Sequence, residues 1–267
     1  MSIPSLLAVP RLALTYARVG VLNELQYRVD FFIQVLQAFV ALATGLIGLG
    51  LVFSHTRELG GWSRDELLAV MGVYIMVGGL MRASVQPNML RLIGDIQEGT
   101  LDFVLTKPAD AQALVSVREL RIWQIVDVGV GLAVLAVAVA RLPDRPGAWD
   151  AAAFAAALTL GGAMIYAFWL MLASTAFWIV RADHITNLFE GLYAAGRWPV
   201  GVYPGWMRRT LTFLVPIAFA VTVPAEALTG RLTLSTLLGA AALALLLLAL
   251  ARVVWRLGLR RYGGASA

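Results

Sequence analysis

The chain contains no cysteine and only two histidines, and no more than 14% of its 267 residues are charged. The first absence excludes disulfides, thiolate zinc sites and thiol nucleophiles. The second leaves little for imidazole chemistry. His55 and His184 fall in separate loops placed on opposite sides of a membrane, so neither a His-based metal pair nor a catalytic triad forms within one chain. Neither a metal site nor a catalytic centre is expected. The shortage of charge goes with a hydrophobic share of 60% and a mean hydropathy of +0.79, which no soluble domain of this size shows. The apolar residues come in blocks of about twenty rather than in alternating strands, which makes the chain an all-α polytopic membrane protein and not a barrel. Residues 2–24 lack a continuous apolar core followed by a small-residue cleavage site, so no cleavable signal peptide is expected. A net charge of +5 would suggest nucleic acid in a soluble chain. Here it fits arginines at helix ends facing anionic lipid, and no nucleic-acid partner is expected.

Six transmembrane helices are predicted, at 31–53, 67–84, 120–140, 151–180, 184–203 and 234–255. They are preceded by an amphipathic interfacial helix at 2–30, where Arg11, Thr15 and Arg18 share one face. The first span carries Gln34 and Gln37 near its start, then Gly45, Gly48 and Gly50, small residues that allow close helix contact. Ser63 and Glu66 form a capping box at the entry to the second. Residues 111–121 read as a helix rising into the third. Between 184 and 230 two assignments compete. Either 185–210 lie on the surface and 211–228 cross, or 184–203 cross and 206–229 form a re-entrant hairpin. Pro216 and Pro224 inside the second apolar run favour the hairpin. Six spans put both termini on one side, and that side carries thirteen of the 21 basic residues, hence the cytoplasm.

The organising stretch is a polar island at 88–108. Read as a helix, it places Arg91, Asp95, Glu98 and Asp102 on one face, with Met89, Ile93, Ile96 and Phe103 on the other. Such a helix lies on a surface. Gly99 closes a first helix, Thr100 caps a second, and Lys107-Pro108 stops it. Gly94 to Thr100 spells GxxxxGT, a near miss to a phosphate-binding loop, but no lysine comes after the second glycine and no buried strand precedes it. The chain therefore does not hydrolyse ATP itself.

Three ionisable residues, Asp127, Glu190 and Arg197, fall inside predicted spans, where charge is costly and is kept for pairing or function. Asp127 has Arg82 or Arg121 as structural partners near the membrane boundary. The alternative is a polar lining to a substrate route, shared with Gln34 and Gln37. A membrane-embedded lipid-modifying enzyme using Glu190, Asp127 and His184 is the rival from another class; it requires these groups to converge at one depth.

The order of elements, together with IGDIQEGTLDFVLTKP in the island, GGWS at 60–63, the proline-broken segment at 202–230 and WRLGLRRYG at 255–263, resembles the membrane subunit of a bacterial ABC exporter of the type-2 permease superfamily, in an uncharacterised branch with an EGTLD…LxKP signature. The resemblance covers nearly the whole chain. It implies that the island is a coupling helix in which Arg91, Asp95, Glu98, Gly99, Thr100, Leu101, Asp102, Lys107 and Pro108 dock onto a separate ATP-binding subunit. It also implies two copies of that ATPase, which hold ATP and Mg while this chain holds no cofactor. A second permease, identical or homologous, would pair with this one in the bacterial cytoplasmic membrane. The first, second and fifth spans would line the substrate route, with the hairpin capping its outer end.

Overall fold

A computed structural model describes residues 28–179 and 185–263. The predicted interfacial helix lies outside the described residues except for 28–30, which already belong to the first long helix, and His184 lies outside them too. Among the described residues all regular structure is helical. Five helices are long and apolar enough to cross a membrane: Val29–His55, Arg64–Gln97, Ile122–Arg141, Ala148–Phe177 and Leu234–Leu259. A bent pair, Gly205–Leu214 with Ala218–Leu228, raises the number to as many as six. The fold is an all-α polytopic membrane fold.

Helix α1 is Arg28–His55. Helix α2, Arg64–Leu80, starts at the capping box: Glu66 N–H donates to Ser63 Oγ and Ser63 N–H donates to Glu66 Oε2 at 2.7 Å. A π-helical turn at Met81–Val85 carries α2 without interruption into α3, Gln86–Gln97. The second span and the first half of the polar island are thus one helix of 34 residues, not a span and then a separate surface helix. Two short helices come after it, α4 at Asp102–Leu105 and α5 at Ala111–Val115. The chain then enters α6, Ile125–Arg141, and α7, Ala148–Ser174.

Helix α5 does not continue to residue 121 as its sequence suggests. Asn88, only 1% exposed, takes the place of a helical partner. Its Oδ1 accepts from the backbone N–H of Arg118 at 2.7 Å and of Glu119 at 2.9 Å, and its Nδ2 donates to Glu119 O at 2.7 Å. The backbone of 118–119 is satisfied across the chain rather than along it, so the helix ends.

The expected continuous span at 184–203 is also corrected. It is an eleven-residue helix, α8 (Ile185–Ala195), and at ~1.5 Å per residue this reaches about 16 Å. Gly196, Pro199 and Pro204 break the chain beyond α8 into turns. The segment nevertheless climbs along the second-span helix: Glu190 meets Gln86, Arg197 lies over Tyr74, and Val202 sits beside Gly60. The bent pair comes next, with α9 at Gly205–Arg209 and α10 at Val223–Leu228. Its 78° bend falls at Val215–Ile217, where Pro216 removes a donor and forces Val215 into extended backbone. Pro224 does not end the second limb: it lies within Ala218–Leu228, directly after a π-helical turn at Ala218–Thr222. The two limbs start and finish against one loop: Val202 touches Gly60, and Arg231 donates to Gly61 O at 2.7 Å. Helix α11, Leu234–Leu259, closes the bundle against α7.

In a bilayer the lipid is as apolar as leucine, so close backbone approach rather than exclusion of water holds helices together. The most extensive contact, α2 with α6, depends on glycine. A Cβ on Gly131 would lie 2.5 Å from Met76 N, and one on Gly72 2.8 Å from Leu135 N.

Candidate functional site

Two features stand apart: the island at one end of the bundle, and a cleft further along the same long helix. In the island, α3 ends at Gly99, whose φ of +73° is the left-handed conformation that glycine adopts without strain. Thr100 does not cap the next helix. Its hydroxyl donates to Asp95 Oδ1 at 3.2 Å, and Leu101, which precedes α4 at the N-cap, supplies no side-chain cap. Asp95, expected on the outward charged face, is instead drawn inward by an ion pair with Arg118, both side chains being mostly buried. Arg91 pairs with Glu119 at 2.8 Å. Leu101 and Val104 are buried beneath the turn, whereas Phe103, expected on the inward apolar face, is 74% exposed. The inward and outward faces are exchanged here because the Gly99 turn resets the helical phase between α3 and α4. The exposed surface of the island therefore includes Arg91, Gln97, Glu98, Phe103, Leu105, Thr106, Lys107 and Pro108, with Asp102 half-buried at its edge.

The island is braced from behind. Asp110 accepts from Ala113 N at 3.1 Å as the cap of α5 and pairs with Arg252 of the last helix at 2.5 Å. Arg252 also donates to Gln112 Oε1 at 2.6 Å. Hydrogen bonds from Arg252 hold the Asp110 carboxyl below its ordinary value, outweighing the opposing effect of partial burial.

The cleft, of about 270 Å³, lies between α1, α2, the start of α6, and the end of α8 with the chain just after it. Its polar end is a network. Arg82 Nη2 donates to Asp127 Oδ2 at 2.8 Å and Arg82 Nε to Gln124 Oε1 at 3.2 Å. Gln34 Nε2 donates to Asp127 Oδ2 at 3.2 Å, and Gln124 Nε2 to Gln34 Oε1 at 3.0 Å. Of the two partners considered for Asp127, it is Arg82 that binds it. Gln37 and Arg197 also line the cleft, so four of the five residues singled out by sequence meet there. The fifth, Glu190, does not: it is exposed and accepts from Gln86 Nε2 at 3.2 Å. Tyr74, Tyr193 and Gln124 carry no sequence cue. Tyr74 and Tyr193 stack with centroids 4.9 Å apart, and Tyr193 Oη donates to Tyr74 O at 2.8 Å. Asp127 and Glu190 occupy separate sites, and among the described residues no three His, Cys, Asp or Glu side chains are grouped to hold a metal.

A family model described as ABC-2 family transporter protein matches residues 39–266, which include the island and the lining of the cleft except Gln34, Gln37 and Ala38. The chain belongs to this family. No curated protein and no solved structure matches it. This ABC-2 family protein is a multi-pass membrane permease component of an ABC transporter, and not itself an enzyme. Membership implies an ABC ATPase as its partner.

Proposed function

We propose that this permease subunit couples ATP hydrolysis by two copies of a separate ATPase subunit, where ATP and Mg reside, to substrate export across the bacterial cytoplasmic membrane. The observation that carries the reading is the continuity of the helix Arg64–Gln97. Its middle supplies Met71, Tyr74, Ile75 and Arg82 to the cleft, and its end delivers the island. A push on the island is a push on the cleft wall. The docking surface consists of Glu98, Asp102, Phe103, Leu105, Lys107 and Pro108, while Asp95 and Leu101 position it from within. Phe103 supplies the aromatic anchor typical of a protein contact. The island and both termini face the cytoplasm, and the bent pair is a re-entrant hairpin on the outer side. Phe32, Leu36, Phe39, Ile47 and Leu51 of α1 are all more than half exposed and meet lipid and a second permease, identical or homologous.

Reversing charge with Glu98→Lys and Asp102→Lys, or replacing Phe103 by Asp, is expected to abolish co-purification of the ATPase and transport while leaving membrane insertion and thermal unfolding near wild type. Unchanged assembly and transport in all three variants would falsify the docking role.

A further inference from the structure

The cleft carries an unbalanced charge. Two guanidinium groups, Arg82 and Arg197, line it, and Asp127 is the one carboxylate that does. Arg82 is committed to Asp127 and Gln124. Among the described residues no carboxylate lies within ion-pair distance of Arg197; its neighbour is the face of the Tyr74 ring, 5.8 Å from the guanidinium carbon. Asp127 packs beside Gly79, five residues along the same helix from Tyr74 and about 8 Å at ~1.5 Å per residue, and its carboxylate is bonded to Arg82 and Gln34 rather than to Arg197. A cation lining a space between membrane helices without a counter-ion is costly, and an incoming anion relieves that cost. The stacked tyrosines do not form a cation trap, because Arg197 already occupies the exposed ring. Apart from Gln34, Gln37 and Gln124 the rest of the wall is apolar: Ala38, Ala41 and Gly45 of α1 lie with Met71 and Ile75 of α2.

The geometry points to an amphiphile with an anionic headgroup, of phosphate or carboxylate type, as the ligand of this cleft. Arg197 binds the headgroup and the α1–α2 wall takes the apolar part. Calling this ligand the exported substrate rests on the permease reading; the binding itself does not.

The test uses the full-length chain, purified without ATPase and placed in phosphatidylcholine nanodiscs, with radiolabelled dodecyl phosphate as the probe. Saturable binding is expected, weakened about tenfold in Arg197→Gln, the loss of one charge-assisted contact, and kept within about threefold in Arg197→Lys. Dodecyltrimethylammonium and inorganic phosphate should both fail to compete. Phosphatidylglycerol added to the discs competes if the occupant is a membrane lipid and leaves binding unchanged if it is a single-chain amphiphile; either result keeps the anionic class. Equal competition by the cationic detergent, full competition by inorganic phosphate, or unchanged affinity in a folded Arg197→Gln chain overturns the proposal. Binding that persists although the Glu98 and Asp102 reversals leave ATPase assembly intact removes the docking role and keeps the cleft. Lost binding with docking confirmed does the reverse.

Discussion

Asp127 is held by side chains from two other helical segments, Arg82 and Gln34, and its network is completed by Gln124 three residues before it. Its side chain is 9% exposed and that of Arg82 35%, so the pair is only partly withdrawn from solvent. Deleting one partner leaves the other charge without its counter-ion. Asp127→Ala is expected to cost about 1–3 kcal/mol, below the 3–5 of a fully buried pair because Arg82 retains solvent. The double variant Arg82→Met with Asp127→Leu should recover much of that loss, as measured by thermal unfolding in detergent. A double variant as destabilised as the sum of the two singles would show that the pair is not coupled. The sequence makes Asp127 conspicuous because a carboxylate within an apolar run is expensive. It leaves the choice between Arg82 and Arg121 open, since partner choice depends on the rotation of two helices about their axes, which neither sequence records. Asn88 is inconspicuous for a related reason. Its role comes from the backbone of residues thirty positions away, and an amide side chain in a polar stretch gives no hint of that.

At the scale of elements, the island depends on one turn and one brace. The brace is the Asp110–Arg252 pair, which ties α5 to the last helix. The carboxyl of Asp110 lies below its ordinary pKa of 3.8, the hydrogen bonds from Arg252 being the main cause. A group whose folded pKa is depressed contributes stability that is complete above the unfolded value and is lost as pH falls through the folded one. Hydrogen-exchange protection of amides 111–116, corrected for intrinsic exchange, should therefore hold steady from about pH 7 to 5 and fall only below about pH 4. In Asp110→Asn it should be reduced throughout that range. A loss of protection between about pH 7 and 5 in the native chain would assign the brace to a different group. Which side of α4 faces outward is not legible from periodicity. A single helical phase carried through 88–108 puts Phe103 inward. The positive φ at Gly99 interrupts that phase and turns Phe103 out and Leu101 in.

For the molecule as a whole, the contact of α2 with α6 fixes the bundle on which both sites are mounted. Gly131 makes that contact possible, because any side chain there meets the backbone of Met76. Gly131→Leu is expected to prevent assembly, read as loss of the monodisperse peak in size-exclusion chromatography. Gly129→Leu, two positions away with nothing within 4 Å of its Cβ position, should elute as the native chain does. Equal behaviour of the two would show that close packing of these helices does not control assembly.

By itself the sequence determined the membrane class, an all-helical architecture of long apolar helices, the polar island, and the break at Pro216. All of these come from composition and from one-dimensional rules: the length needed to cross hydrocarbon, the cost of charge within it, and the missing donor of proline. The tertiary structure decided what lies between those landmarks. Only packing shows that the second span runs unbroken into the island, that 184–203 climbs as a short helix and turns, and that Glu190 stays out of the cleft where Gln34, Gln37, Asp127 and Arg197 meet. The physical reason is common to all three. A helix pattern specifies which side chains share a face, but which neighbour that face meets is set by contacts between residues far apart in the chain, at glycines and buried polar groups whose partners the local sequence does not contain.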